Sequence, residues 1–248
     1  MHDQKIVATY RVKNEEIFLK KSIESIYDLC DEIVILDDGS TDHTAEIYSN
    51  FDTVVDIHKQ FNLPLDEVRD RNYLLQMALK RKPDIIISID GDEIFMPHAK
   101  DILLEELNVL YPNENLFEFQ FLTLWDNYDQ LRFDGIFGNY YQKRLFRTKN
   151  QTHNLKFENT SIYGNLHGGS IPSNLIGYEK PIRSNVKIFH LASIDEKLRQ
   201  QKFQFYTNLD PNNQLTDGYK HMISGEGKFS GPNGIEIRKL PKEFTIKL

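Results

Sequence analysis

Apolar residues in the first third of the chain fall into two alternating textures. Short apolar stretches at residues 6–9, 33–36 and 85–89, the last with four isoleucines around Ser88, predict buried strands, because β-branched side chains fill a covered pleat well. Between them, apolar positions recur at helical spacing: Ile17, Leu19, Ile23, Ile26 and Tyr27, then Ala45, Ile47 and Tyr48, then Leu74, Leu75, Ala78 and Leu79. Residues 51–55 read as one further strand. Strand, helix, strand, helix, strand, helix, strand is the order of an α/β fold with a mostly parallel sheet flanked by helices. Beyond it, residues 99–110 predict a helix, and the alternation over 116–122 a strand with one wet face. A late strand is expected at 186–190 and a helix at 194–207. Residues 124–150 mix aromatics and charges without a period and read as irregular hairpins lining a cleft. From residue 210 onward Pro, Asn and Gly thicken, which predicts an extended tail. No repeat and no linker interrupts the chain, so a single domain over 1–248 is expected.

Composition narrows the function classes. With 40% hydrophobic and 27% charged residues, the chain can bury a real core. A net charge of -7 argues against a nucleic-acid binder, which would carry a basic face. No apolar run reaches a membrane span and residues 1–5 open no signal-peptide pattern, so a cytoplasmic protein without a transmembrane segment is expected. Cys30 is the one cysteine and excludes an internal disulfide.

The chemistry concentrates where the apolar runs stop. The strand at 33–36 ends on Asp37-Asp38-Gly39-Ser40, and the strand at 85–89 ends on Asp90-Gly91-Asp92-Glu93. Three acids within four residues repel one another unless a cation sits between them. Oxygen ligands of this kind suit Mg²⁺ or Mn²⁺. An isolated Asp-x-Asp is more often a solvated turn. These two clusters, however, both fall at carboxyl ends of strands, where open α/β sheets bind ligands.

Together the motifs resemble glycosyltransferase family 2, the nucleotide-sugar-dependent transferases of GT-A fold. The resemblance runs over residues 4–110 and rests on Asn14-Glu15 after the first strand, the segment from Asp31 to Asp42, Arg71-Asn72, and Ile89-Asp90-Gly91-Asp92-Glu93. It implies a GT-A-like, Rossmann-like sheet. Residues 1–110 would be the nucleotide-sugar-binding half, 111–209 an irregular acceptor-side and metal-closing half, and 210–248 the tail. It further implies that Asp37 and Asp38, Asp38 foremost, hold the nucleoside, with Tyr10 and Arg11 lining the base pocket and Arg71 near the nucleotide. In the Asp-x-Asp turn, Asp90 would lean to the ribose, Gly91 would give the turn its freedom, and Asp92 would bind Mn²⁺ or Mg²⁺. His190, at the end of the late strand, would be the second metal ligand. Glu93 and His167 become possible substrate contacts.

The implied reaction is inverting transfer from a nucleoside diphosphate sugar, a UDP-sugar in particular, to a hydroxyl acceptor. That acceptor would be a glycan or lipid-linked, as in polysaccharide biosynthesis, with peripheral membrane contact open and no nucleic-acid partner. An inverting transferase needs a base for the acceptor hydroxyl. Some similar sequences carry His-Glu where this one has His167-Gly168, so Asp134 and then Asp126 are the candidates. Arg144, Arg147 and Lys143 face phosphates or balance nearby acids. The rival readings are a nucleotide-sugar hydrolase, a nucleotidyltransferase and a non-catalytic sugar-nucleotide binder. The nucleotidyltransferase would want a Gly-rich loop after the first strand, and residues 11–15 hold no glycine.

Overall fold

The unbroken apolar runs become the central strands. In the computed structural model, which describes residues 4–61, 63–149, 151, 154–158, 169–211, 219–227 and 229–244, β1 (Ile6–Val12), β2 (Glu32–Asp37), β3 (Val54–Lys59) and β4 (Ile85–Asp90) lie in the order β3-β2-β1-β4. Each neighbouring pair among them is parallel. The connecting helices are α1 (Leu19–Ile26), α2 (Thr44–Ser49) and α3 (Glu67–Lys80), so the expected α/β order holds. Helix α3 starts where Asp66 accepts the Arg69 N–H at 2.9 Å, a cap worth about 1 kcal/mol.

The second half of the chain adds β5 (Glu93–Phe95) and α4 (Ala99–Glu105), which loosens into a π-helical turn at Glu106–Leu110. β6 (Leu116–Thr123), β7 (Gln130–Arg132), β8 (Tyr141–Arg147), β9 (Ile182–His190), α5 (Glu196–Leu209) and β10 (Ile237–Lys239) follow. The main sheet continues from β4 through β8, β6 and β9 to β5, while β10 pairs antiparallel with β7 in a small sheet of its own.

Three expectations shift. The third strand sits at Val54–Lys59 rather than 51–55. It is the sheet edge and alternates between half-buried and exposed, so its polar Asp56, His58 and Lys59 broke the apolar run. Part of the segment read as irregular is the regular strand β8, antiparallel to β4. Its Arg144 and Arg147 are buried cations, which the hydrophobic pattern scores as surface. Arg147 donates to the carbonyls of Leu107 and Glu114 at 2.7 and 3.0 Å, so it balances backbone rather than phosphate. The described part of the 210–248 tail carries β10 and is no mere extension.

The chain separates into two compact units, residues 1–119 with 142–186, and residues 120–141 with 187–248. In the first, Val7, Val34, Leu36 and Ile86 of the sheet pack against Leu74 and Leu75 of α3. Burying each such side chain contributes roughly 1.5–3 kcal/mol.

The second unit is organised around Arg132 and Asp134. Arg132 forks onto the Asp134 carboxylate through Nε at 2.8 Å and Nη2 at 2.9 Å, and its side chain is fully buried. The backbone N–H groups of Gly231 and Glu236 also donate to Asp134, at 3.1 and 3.2 Å. Gly135 permits this approach: its φ is +53°, and a Cβ there would stand 2.1 Å from the Phe229 carbonyl oxygen.

Burial alone would raise the Asp134 carboxyl, but Arg132 and the two N–H donors outweigh it and hold it below its usual value. Asp134→Asn is therefore expected to cost roughly 3–5 kcal/mol at neutral pH, the price of stranding Arg132. A depressed native pKa gives stability that is present above the unfolded value of 3.8 and fades as pH falls through the native one. The gap between wild type and variant in urea unfolding should narrow below pH 3.8; an equal gap at pH 7 and pH 3 would refute the charge as its source.

Candidate active site

Three strand tips share one rim of the first unit. β1 lies between β2 and β4, with Val12 opposite Asp37 and Arg11 opposite Asp90, so both acid turns leave the sheet at the same edge. The loops after β1 and β2 are clipped together by side chains. Asn14, at φ 55°, accepts the Thr41 N–H at 2.8 Å and donates its own to Ser40 Oγ at 3.0 Å. The N–H of Glu15 reaches Thr44 Oγ1 at 2.7 Å, and that of Glu16 reaches Asp42 at 3.1 Å. Asn tolerates the left-handed region better than other side chains, which accounts for its place in the turn.

The two carboxylates after β2 divide their work. Asp37 is consumed by its own turn, accepting the Ser40 N–H at 2.8 Å and the Tyr48 hydroxyl at 3.0 Å. Asp38 faces a buried cluster instead. It accepts from Arg11 Nη2 at 2.7 Å, Gln60 Nε2 at 2.8 Å and Lys13 Nζ at 3.4 Å. A carboxylate has about four acceptor positions, so one remains for a ligand. Beneath it sits Asp70, wholly buried, which accepts from Arg11 Nε at 2.8 Å, Gln60 at 3.1 Å and Arg69 at 2.7 Å. Asp70 was not predicted. It stands between Arg69 and Arg71 on an amphipathic helix and carries no motif of its own.

The turn after β4 is held by two guanidiniums. Arg71, the residue next to Asp70 on α3, donates to Ser88 Oγ at 3.0 Å and to Asp90 Oδ1 at 2.8 Å. Arg144 of β8 donates to Asp90 Oδ2 at 3.2 Å and to the Glu93 carboxylate. Asp92 and Glu93 are both buried. Burial raises the Glu93 carboxyl well above its usual range; Arg144 opposes this, and the Asp90 and Asp92 charges add to it. From below, the Ser22 hydroxyl supports the Asp90 carbonyl at 3.3 Å and meets the Tyr10 hydroxyl at 3.1 Å.

Tyr10 is thus a core residue. Its side chain is fully buried, and burial pushes its hydroxyl well above the usual pKa, so the expectation that it lines a base pocket is corrected. The alternation along β1 turns Tyr10 inward, while Arg11 reaches the acid cluster. Asp134 is the loop anchor described above, with a lowered pKa, the wrong direction for a general base. Asp126, at φ 62°, pairs with Arg199 at 2.7 Å and leaves half its side chain in solvent. His190 ends β9 in the second unit, its ring 6.2 Å from that of Phe121. His167 lies outside the described residues.

Among the described residues, no three His, Cys, Asp or Glu side chains gather as a protein-only metal cage. The donors on the Asp90–Asp92 turn still fit a small hard cation. Mg²⁺ commonly takes one or two carboxylates and completes its shell with water and substrate phosphates.

Residues 6–111 match the family model described as glycosyl transferase family 2. Over these residues the chain is similar to the family 2 glycosyltransferases. The match spans both acid turns, α3 and the clipped loops. No curated protein sequence matches the chain. Among solved structures, S. aureus TarS 1-349 in complex with UDP is 17% identical, with a TM-score of 0.36 over 50% of this chain and 36% of that one. A second structure of S. aureus TarS is 13% identical, with a TM-score of 0.49 over 82% of this chain and 40% of its own. Glucosyl-3-phosphoglycerate synthase from Mycobacterium tuberculosis, in complex with Mn²⁺, UDP and phosphoglyceric acid, is 21% identical with a TM-score of 0.33, covering 49% and 44%. The chain thus spans less than half the length of each.

Within the matched residues, Gly91 carries a sharp steric constraint, because a Cβ there would lie 2.7 Å from Glu15 Cγ. Gly91→Ala is expected to destabilise the domain by about 1–3 kcal/mol. Truncating the obstacle in the Glu15→Ala/Gly91→Ala double variant should recover most of that loss in thermal unfolding. Strict additivity of the two changes would show that the contact does not set the turn.

Proposed function

We propose that the chain transfers a sugar from a nucleoside diphosphate sugar, a UDP-sugar in particular, to a hydroxyl acceptor with inversion at the anomeric carbon. The observation that carries this reading is the common rim: β1 is hydrogen-bonded on both sides, so the acids after β2 and those after β4 face one ligand-sized edge. The family 2 match over residues 6–111 supports the reaction class. The UDP held by TarS and by the phosphoglycerate-acting synthase supports UDP as the first nucleotide to test.

In this reading Asp38, steadied by Arg11 and Asp70, receives the nucleoside, and Asp90, fixed by Arg71 and Arg144, receives the ribose. Asp92 would hold Mn²⁺ or Mg²⁺. The bound ion supplies Lewis-acid stabilisation of the diphosphate leaving group. Arg71 and Arg144 keep Asp90 from swinging away, so the turn is set before the donor arrives. A glycan or lipid-linked acceptor would offer its hydroxyl to a base, and Asp126 suits that role better than Asp134 because its carboxylate reaches solvent.

Calorimetry with UDP, with and without Mn²⁺, tests the donor half. Asp92→Ala should abolish the Mn²⁺-dependent gain in affinity, whereas an unchanged affinity would remove the metal assignment. Asp126→Asn should leave UDP binding intact and lower sugar transfer by about 10²–10⁴-fold, the usual worth of a general base. Full turnover in that variant would move the base elsewhere.

A further inference from the structure

Strand β3 ends the main sheet, so among the described residues one of its sides has no strand beside it. Its ladder with β2 slips by one residue at Val55 and is regular over residues 56–59. The ladder continues as Gln60 donates its N–H to the Asp37 carbonyl at 2.9 Å. Alternate residues of a strand turn both backbone groups to the same side, so His58 and Gln60 face β2 while Ile57 and Lys59 point theirs outward. Such an edge is a template for another strand, and edges that stay single usually carry proline or outward lysines. β3 has no proline. Its one lysine is turned back, with the amine 5.6 Å over the Tyr48 ring of α2.

Apolar side chains gather around this edge. Val55 and Ile57 are exposed on one face of β3, and just past the strand Phe61 is 64% exposed and Leu63 also faces solvent. On the other face, Tyr73 of α3 is exposed and stacks on His58, with ring centres 4.1 Å apart. Asp56 and His58 share that face, two residues apart. Arg81, just after α3, feels the Asp56 charge but is forked onto Glu32 at 2.7 and 3.0 Å. The Asp56 carboxylate therefore keeps room for a donor from outside the chain.

The sequence of β3 complements itself. A two-fold axis perpendicular to the sheet sets residues of equal parity opposite each other on one face. Centring that axis on Asp56 would oppose two carboxylates, and centring it on His58 would oppose two imidazoles. Centred on Ile57, the pairing sets Asp56 opposite His58 twice, at non-hydrogen-bonded positions where Cα atoms approach to about 4.5 Å. The same register puts Ile57 against itself through its outward backbone groups, and Val55 beside the aliphatic stem of Lys59. We propose that β3 is a homodimer interface, where two copies join their main sheets by antiparallel pairing about Ile57. Backbone pairing sets the geometry, and burial of the apolar residues around the edge supplies the driving force. This interface does not depend on the transferase reading.

Sedimentation velocity on the full chain over a range of concentrations should show a reversible monomer–dimer equilibrium. Ile57→Lys, at an exposed side chain, should leave the circular dichroism unchanged and give a monomer. His58→Asp sets like charges opposite at two positions and should weaken the dimer by about tenfold. The swap Asp56→His/His58→Asp should recover the affinity, because it rebuilds both pairs in this register; that recovery separates charge pairing from the loss of the Tyr73 stack. Under mild oxidation Ile57→Cys should cross-link between subunits and Val55→Cys should not, the native Cys30 being buried. A monomer at every concentration, a dimer indifferent to Ile57→Lys, or a swap no better than His58→Asp overturns the proposal. Equal cross-linking at the two cysteine positions overturns it as well.

Discussion

Packing like charges at one sheet edge is the constraint that the first unit answers to. Parallel pairing of β1 with β2 and β4 brings the Asp37–Asp38 and Asp90–Asp92 turns to the same rim, and Asp70 adds another buried carboxylate beneath it. Left alone, such acids would repel by an amount that low local dielectric makes severe. Guanidiniums offset it. Arg11 joins Asp38 to Asp70, and Arg71 with Arg144 brackets Asp90. Burial also favours the neutral form of Glu93.

Helix α3 is where these compensations meet. Asp70 and Arg71 are consecutive, about 100° apart around the helix axis, and each enters a different cluster. Asp70 steadies the group around Asp38, while Arg71 steadies the turn at Asp90. One rigid element, capped at Asp66 and packed through Leu74 and Leu75, therefore sets both halves of the rim together. Sites built this way hold their geometry better than sites made of loops alone.

How much of this was legible in the sequence depends on which signal each residue gave. The parallel strands were plain, because unbroken Ile/Val runs have few other readings. Their terminal acids were plain for the same reason: a charge that interrupts such a run has to sit at its end. Asp70, Gln60 and the task of Arg144 were not legible. Each is a buried polar residue on, or just past, an element whose pattern reads as surface, and only long-range pairing reveals it. Tyr10 shows the opposite failure. Its place at a strand end suggested a pocket, but position along a strand does not settle which face a side chain takes.

Asp126 and Asp134 show how neighbours separate two carboxylates that sequence alone treats as equivalent. Asp134 gathers both nitrogens of a buried arginine and two backbone donors, all of which favour its charged form. Every such donor lowers the driving force for taking up a proton, so the better the anchor, the poorer the base. Asp126 pairs with an arginine as well, but part of its carboxylate faces solvent, where water can replace that partner at small cost.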